Sequence, residues 1–218
     1  MQTILNFLSD LKQNNNRDWF QKNKDKYENA KNLFFELVDI LIMKINEFDP
    51  SIGVLPAKDC VFRIYKDVRF SKDKTPYKTN MGAYIARGGR KTNLAGYYLQ
   101  IEPGASFAGG GIYRPHPDIL KAVRSEISEN AASFKSILNK PAFKAFFPEL
   151  YGEKLKTAPR GFDKNHPDID LLRNKSYTVI KPLSDKDLTY RSFLEKLIEI
   201  FKIQKPFNDF LNFCISQV

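Results

Sequence analysis

With 218 residues, 42% of them hydrophobic and 28% charged, the chain can bury the core of one domain and has the polarity of a water-soluble protein. Its formal net charge of +10 at pH 7 favours anionic partners such as nucleic acid, an acidic membrane surface or phosphorylated metabolites, without choosing among them. Two distant cysteines, Cys60 and Cys214, argue against a disulfide framework and against a structural zinc site.

The first residues, MQTILNFLSDLKQNNNRDW, lack a basic stretch and a small-residue cleavage site, so no secretory leader is expected. Ile4, Leu5, Phe7, Leu8 and Leu11 make an apolar stripe that predicts a helix over 3–13. Asn16 caps a second, long helix that ends before Pro50, with Leu33, Phe34, Leu37, Val38, Leu41, Ile42, Ile45 and Phe48 on its buried face. Trp19, Phe20, Asn23 and Tyr27 trace one face of that helix, and core packing with a solvated lysine face outweighs a nucleic-acid reading there. The run LFFELVDILIMKI carries Glu36, Asp39 and Lys44, which is wrong for a membrane span. A cytoplasmic location is expected.

From about residue 60 to 113, short segments rich in Tyr, Ile and Phe alternate with Gly, Pro and Asn, which predicts an antiparallel meander. Helical spacing returns after Pro115, SYTVIKPL (176–183) reads as one later strand, and two closing helices are expected near 190–203 and 206–216. The expected fold is α+β: a single antiparallel sheet from about residues 60–113 plus 176–183, flanked by N- and C-terminal helices. Residues 1–218 are expected to form a single domain with a helical part at 1–50, the sheet core at 60–113, and a mostly helical part with one added strand at 116–218.

The densest run of cations is RIYKDVRFSKDKTPYK, Arg63 to Lys78, where six residues are Lys or Arg and two are Asp. Read as a strand over 63–70, it places Ile64, Lys66, Val68 and Phe70 on one face and Arg63, Tyr65, Asp67 and Arg69 on the other. Arg63 and Arg69 are then spaced to hold a planar anion with Asp67 fixing their forks, while the turn after Ser71 folds Lys74, Tyr77 and Lys78 over them. The opposing reading is a charged edge strand that blocks aggregation. The favoured function is a phosphate- or carboxylate-binding pocket built on this strand. Arg63, Lys66, Arg69, Lys74, Lys78 and Gly110 are its candidate ligand contacts. Extended to an enzyme acting on a small anionic substrate, the reading makes Asp67 or Asp73 the base and Tyr77 or Lys74 the acid. The alternatives are a non-enzymatic nucleic-acid-binding module using Lys72, Lys78, Arg87 and Arg90, and a purely structural strand whose charges pair internally.

Other motifs carry less. Gly109-Gly110-Gly111 reads as a close backbone approach more than as an anion nest. His116-Pro117-Asp118 and His166-Pro167-Asp168 read as helix starts, and neither histidine has metal-ligand spacing to a third group. Glu102 is a strand-end carboxylate near the glycines, and Cys60 reads as buried. No nucleophile elbow, zinc-protease or dinucleotide motif is present, so standard nucleophilic and zinc-hydrolase mechanisms lose weight; no metal ligand is assigned, and the cofactor stays open.

Arg63, Asp67, Arg69, Phe70, Asp73, Lys74 and Tyr77 match a signature Arg-x-x-Arg-Asp-x-Arg-Phe followed by Asp/Asn-Lys-x-x-Tyr. On these residues the chain resembles a widespread bacterial family of conserved proteins of unknown function, which also occurs as a domain in some fungal proteins. Lys66 stands where the family has Arg, which weakens any bidentate contact expected there. The flanks NNRDWF (15–20) and GYYLQIEPGASFAGGGIYRP (96–115) extend the likeness to nearly the whole chain. The resemblance supports the choice of site and implies no reaction.

Overall fold

The computed structural model describes residues 1–217. Helix α1, Gln2–Gln13, buries the apolar stripe expected of it. Asn16 caps α2, Arg17–Lys22, by accepting the Trp19 N–H at 2.9 Å. The second helix is not continuous: Asn23 leaves helical geometry (φ −114°, ψ 23°) and its side chain donates to the Trp19 carbonyl. Helix α3, Lys24–Asn46, restarts there and ends ahead of Pro50.

A single helical turn, α4 at Ala57–Cys60, precedes the sheet, with Cys60 buried at its end. Strands β1 (Met81–Ile85), β2 (Gly96–Ile101), β3 (Ser106–Ile112) and β4 (Tyr177–Leu183) form one antiparallel sheet in the order β1-β2-β3-β4. The sheet therefore opens at Met81, later than the expected start near residue 60, and residues 63–70 are not a strand of it. Between β3 and β4 lie α5 (Pro117–Leu138), kinked at Asn130, then α6 (Pro141–Phe146) and α7 (Ile169–Leu172). His116 stands at the N-cap of α5 with Pro117 in its first turn, as its motif predicts. After β4 come α8 (Asp185–Thr189), closed by a Ser184–Asp187 capping box, and α9 (Phe193–Ile215).

The two closing helices expected around Pro206 are one helix, with the proline inside it. Ile200, Phe201, Gln204, Phe207, Asn208 and Leu211 are all buried along one face, so tertiary packing holds the helix through the residue that weakens it.

The chain divides into two compact units, each with its own core. The first takes Met1–Arg90, Tyr98–Ala108 and Pro182–Ile198, and its core includes Leu8, Leu11, Phe20, Phe34, Leu41, Ile45, Leu99 and Ile101. The second takes Lys91–Tyr97, Gly109–Lys181 and the chain from Glu199, and its core is aromatic: Phe134 packs on Tyr177, Phe207 and Phe210, and Tyr97 on Phe201.

Within the second unit, Gly110 and Gly111 have φ of 150° and 102°. A Cβ on Gly110 would stand 2.0 Å from the Gly96 carbonyl oxygen. The glycine run is thus a close backbone approach, as its composition suggested. No helix among the described residues is long and apolar enough to cross a membrane.

Candidate functional site

The charged segment folds as an irregular hairpin within the first unit. Phe62 N–H donates to the Gly82 carbonyl, Lys66 N–H to Pro76 and Lys78 N–H to Ile64, at 2.9, 2.9 and 2.8 Å. Tyr65 bridges Tyr77 in antiparallel fashion. Two short arms result, with a tip from 67 to 75.

The tip is not a strand because its own side chains take up the backbone. Asp67 accepts the Arg69 N–H, Ser71 the Asp73 N–H, and Asp73 the Thr75 N–H, three successive side-chain turns that compete with a ladder. The two-residue face pattern holds only at the base: Ile64 is buried, whereas Phe70, expected on the same apolar face, is 96% exposed.

The base is anchored by residues distant in sequence. Tyr77 is only 3% exposed and stacks on Phe20, with ring centroids 4.0 Å apart and planes 11° from parallel. Asn15 clamps the Tyr77 backbone from both sides, accepting its N–H at 3.1 Å and donating to its carbonyl at 2.9 Å. Asn15 and Phe20, the two ends of the NNRDWF stretch, thus form the seat of Tyr77. Burial, then the charge of Tyr65, pushes the Tyr77 hydroxyl above its usual pKa.

Most of the candidate cations are already engaged. Arg69 forks onto Asp67 through Nε (3.0 Å) and Nη2 (2.7 Å), and both side chains are solvated. Lys66 Nζ reaches Asp73 and Thr75, each at 2.7 Å, and Lys74 Nζ donates to the Val68 carbonyl at 3.0 Å. These contacts hold both carboxyls below the ordinary range: Asp67 through the Arg69 hydrogen bonds, Asp73 through Lys66 and then Thr75.

Arg63 and Lys78 differ. Neither has an ion-pair partner among the described residues. Lys78 is half-buried with its ammonium 5.5 Å from the centre of the Phe62 ring. Burial lowers its pKa first, and the Arg63 charge lowers it further, so the two cations are close enough to repel.

Beside the arm, the solvent-facing side of β2 carries a polar string that sequence reasoning did not assemble. Tyr98 O–H donates to Gln100 at 3.0 Å, Gln100 Nε2 to Glu102 at 2.8 Å, and Thr79 O–H to Glu102 at 3.0 Å. Phe62 packs edge-on against Tyr98, which lies directly over Gly82. Glu102 thus joins the arm through Thr79. The signal was available in the alternation of GYYLQIE, whose buried residues are Tyr97, Leu99 and Ile101. Burial raises the Tyr98 pKa to about 12.

The remaining sequence candidates lie apart from this arrangement or serve other contacts. Gly110 belongs to the second unit, inside β3. Arg90 donates to the Lys58 carbonyl at 2.6 Å. His116 pairs with exposed Asp118, and His166 bonds the Ser128 carbonyl and the Asp168 N–H. Among the described residues, no group of three or more His, Cys, Asp or Glu side chains is placed to hold a metal ion.

Neither a curated protein nor a solved structure matches the chain. A family model does, across residues 3–210, and the chain belongs to the family it describes, conserved hypothetical protein (DUF2461).

Proposed function

We propose that the protein binds a phosphate- or carboxylate-bearing ligand at the mouth of the hairpin, between Arg63 and Lys78. One observation carries this reading: two cations near one another, one of them half-buried, make no ion pair or hydrogen bond with a carboxylate among the described residues, although the Arg63 charge is felt by Asp67. An anion placed between them relieves their repulsion and offsets the desolvation of Lys78. Lys66, Arg69 and Lys74 hold the tip of the hairpin in shape. Asp67 and Asp73 are exposed, hydrogen-bonded and depressed in pKa, which makes each a weak base, so binding is better supported than turnover.

A second reading has its own support. Phe70 and Tyr65 present rings to solvent beside Arg69 and Lys72, the mixture of stacking faces and cations that tracks a single-stranded nucleic acid.

The test is a thermal-shift series on wild type, the Arg63→Gln/Lys78→Gln double variant and Phe70→Ala, with sulfate, phosphate, small carboxylates and short oligonucleotides. A ligand present at a hundred times its dissociation constant stabilises by about 2.7 kcal/mol. At this chain length that is a shift of roughly 5–10 °C. The expected result is a small-anion shift abolished in the double variant and retained in Phe70→Ala. An oligonucleotide-only shift that fades with salt and drops in Phe70→Ala moves the conclusion to the second reading. Identical small-anion shifts in wild type and the double variant refute the Arg63–Lys78 site.

A further inference from the structure

The second unit contains an open groove of about 1010 Å³ that the hairpin reading does not use. Asn174, Lys175 and Ser176, the residues just before β4, line it. One wall follows β3: Tyr113 and Arg114 extend beyond that strand, and Arg114 N–H donates to Ser176 Oγ at 2.9 Å. The other wall is an irregular strand on the far side of β4, where Tyr151 bridges Thr178 and Lys154 bridges Asn174. The groove therefore lies just ahead of β4, with Tyr113 and Arg114 on one side and the segment from Tyr151 to Lys154 on the other.

Each wall offers an aromatic face. Tyr113 is 63% exposed and Tyr151 49% exposed. Each wall also bears charge. Glu153 reaches from its wall to Lys175 at 2.8 Å and toward Arg114 at 3.7 Å. The shorter contact is a hydrogen bond and the longer one is not. The Arg114 guanidinium, stacked 5.4 Å from the Tyr113 ring centre, therefore keeps its donors available among the described residues. Lys144 also lines the groove and has no ion-pair partner among them.

The backbone adds a separate observation. Arg114 is the single non-glycine residue among those described with positive φ, at 47°. An arginine held in the left-handed region, where glycine would be relaxed, marks a position at which the side chain is retained against local strain.

We propose that this groove binds a nucleoside monophosphate, with the base stacked on Tyr113 or Tyr151 and the phosphate held by Arg114 and Lys144. A planar ring joined to a phosphate matches what the walls present: aromatic faces together with a guanidinium whose only carboxylate contact, to Glu153, is longer than a hydrogen bond, and a lysine without an ion pair among the described residues. The groove is open and its volume accommodates one nucleotide. The inference is independent of the Arg63–Lys78 site.

The test is calorimetric titration of the full chain with adenosine 5′-monophosphate, inorganic phosphate and adenosine. Wild type is expected to bind the nucleotide in the micromolar to low-millimolar range, more tightly than either fragment. Arg114→Gly removes the guanidinium while suiting the backbone, so its melting temperature should not fall and its affinity should drop at least about tenfold. Tyr151→Ala should weaken binding by about fivefold or more through lost stacking. The Arg63→Gln/Lys78→Gln variant should bind as wild type does. No nucleotide binding by wild type, unchanged affinity in both groove variants, or loss confined to the hairpin variant each overturns the proposal. The last outcome places the nucleotide at the hairpin and leaves that reading standing.

Discussion

The hairpin at 61–79 and the groove ahead of β4 are both basic and both aromatic, yet they dispose of their charge in opposite ways. In the hairpin, the most cation-rich stretch of the chain, Arg69 and Lys66 are engaged by Asp67 and Asp73, and only Arg63, Lys72 and Lys78 remain without a carboxylate or carbonyl partner among the described residues. In the groove, cations far apart in sequence converge on one carboxylate, Glu153, and the Arg114 fork stays open. Density of charge along a chain and availability of charge to a ligand are therefore separate properties. The first follows from composition. The second depends on which side chains fold back on their own backbone.

The comparison breaks most severely if the pairing of β2 and β3 is altered. Gly110→Ala drives a methyl group into the Gly96 carbonyl and within 2.5 Å of the Gln204 amide. Denaturant unfolding should show a loss of more than about 4 kcal/mol, or no folded protein. A loss under about 1 kcal/mol would mean that β2 and β3 can separate to admit a side chain.

On the other side, Phe20→Ala removes the ring on which Tyr77 stacks. It should cost about 3 kcal/mol. If the hairpin depends on that seat, small-anion binding falls in this variant while nucleotide binding at Arg114 persists once the protein is assayed below its lowered melting temperature. Equal loss at both places would show that the two regions do not respond separately.

The smallest effect is a pH dependence that distinguishes the cations. Lys78 has a depressed pKa, so its positive charge disappears as pH rises toward a value below the ordinary lysine figure of about 10.4. Sulfate keeps its charge throughout, so the sulfate-induced thermal shift should shrink between neutral and alkaline pH. It should be flat in Lys78→Gln. Asp67 and Asp73 run the other way: with folded pKa values lowered, their ion pairs are intact above about pH 4 and weaken only as pH falls through those lowered values. A wild-type response at mildly acidic pH would therefore point to a group other than these.

Local pattern was enough to read much of the framework. The stripe in α1, the Asn16 cap, the Pro117 start of α5, and the strands GAYIARG, GYYLQIE and SYTVIKPL follow from spacings of a few residues. The charged segment misled that reasoning because the Asp67, Ser71 and Asp73 side chains accept from backbone N–H groups two residues on, and period-two patterning cannot see such competition. Pro206 misled it in the opposite sense: a residue that ends isolated helices is carried through by a buried face on both sides.

What the sequence determined alone was the α+β class, the family signature and the stretch where charge concentrates, since each rests on residue type and short spacing. Tertiary structure decided the rest. It decided that Asn15 and Phe20 seat Tyr77, and that Arg63 and Lys78 are the hairpin cations left unpaired near one another. It also brought Tyr113, Arg114, Tyr151 and Glu153 around β4. Those contacts join residues separated by tens of positions, and only the closing of strands and helices on their cores brings such residues together.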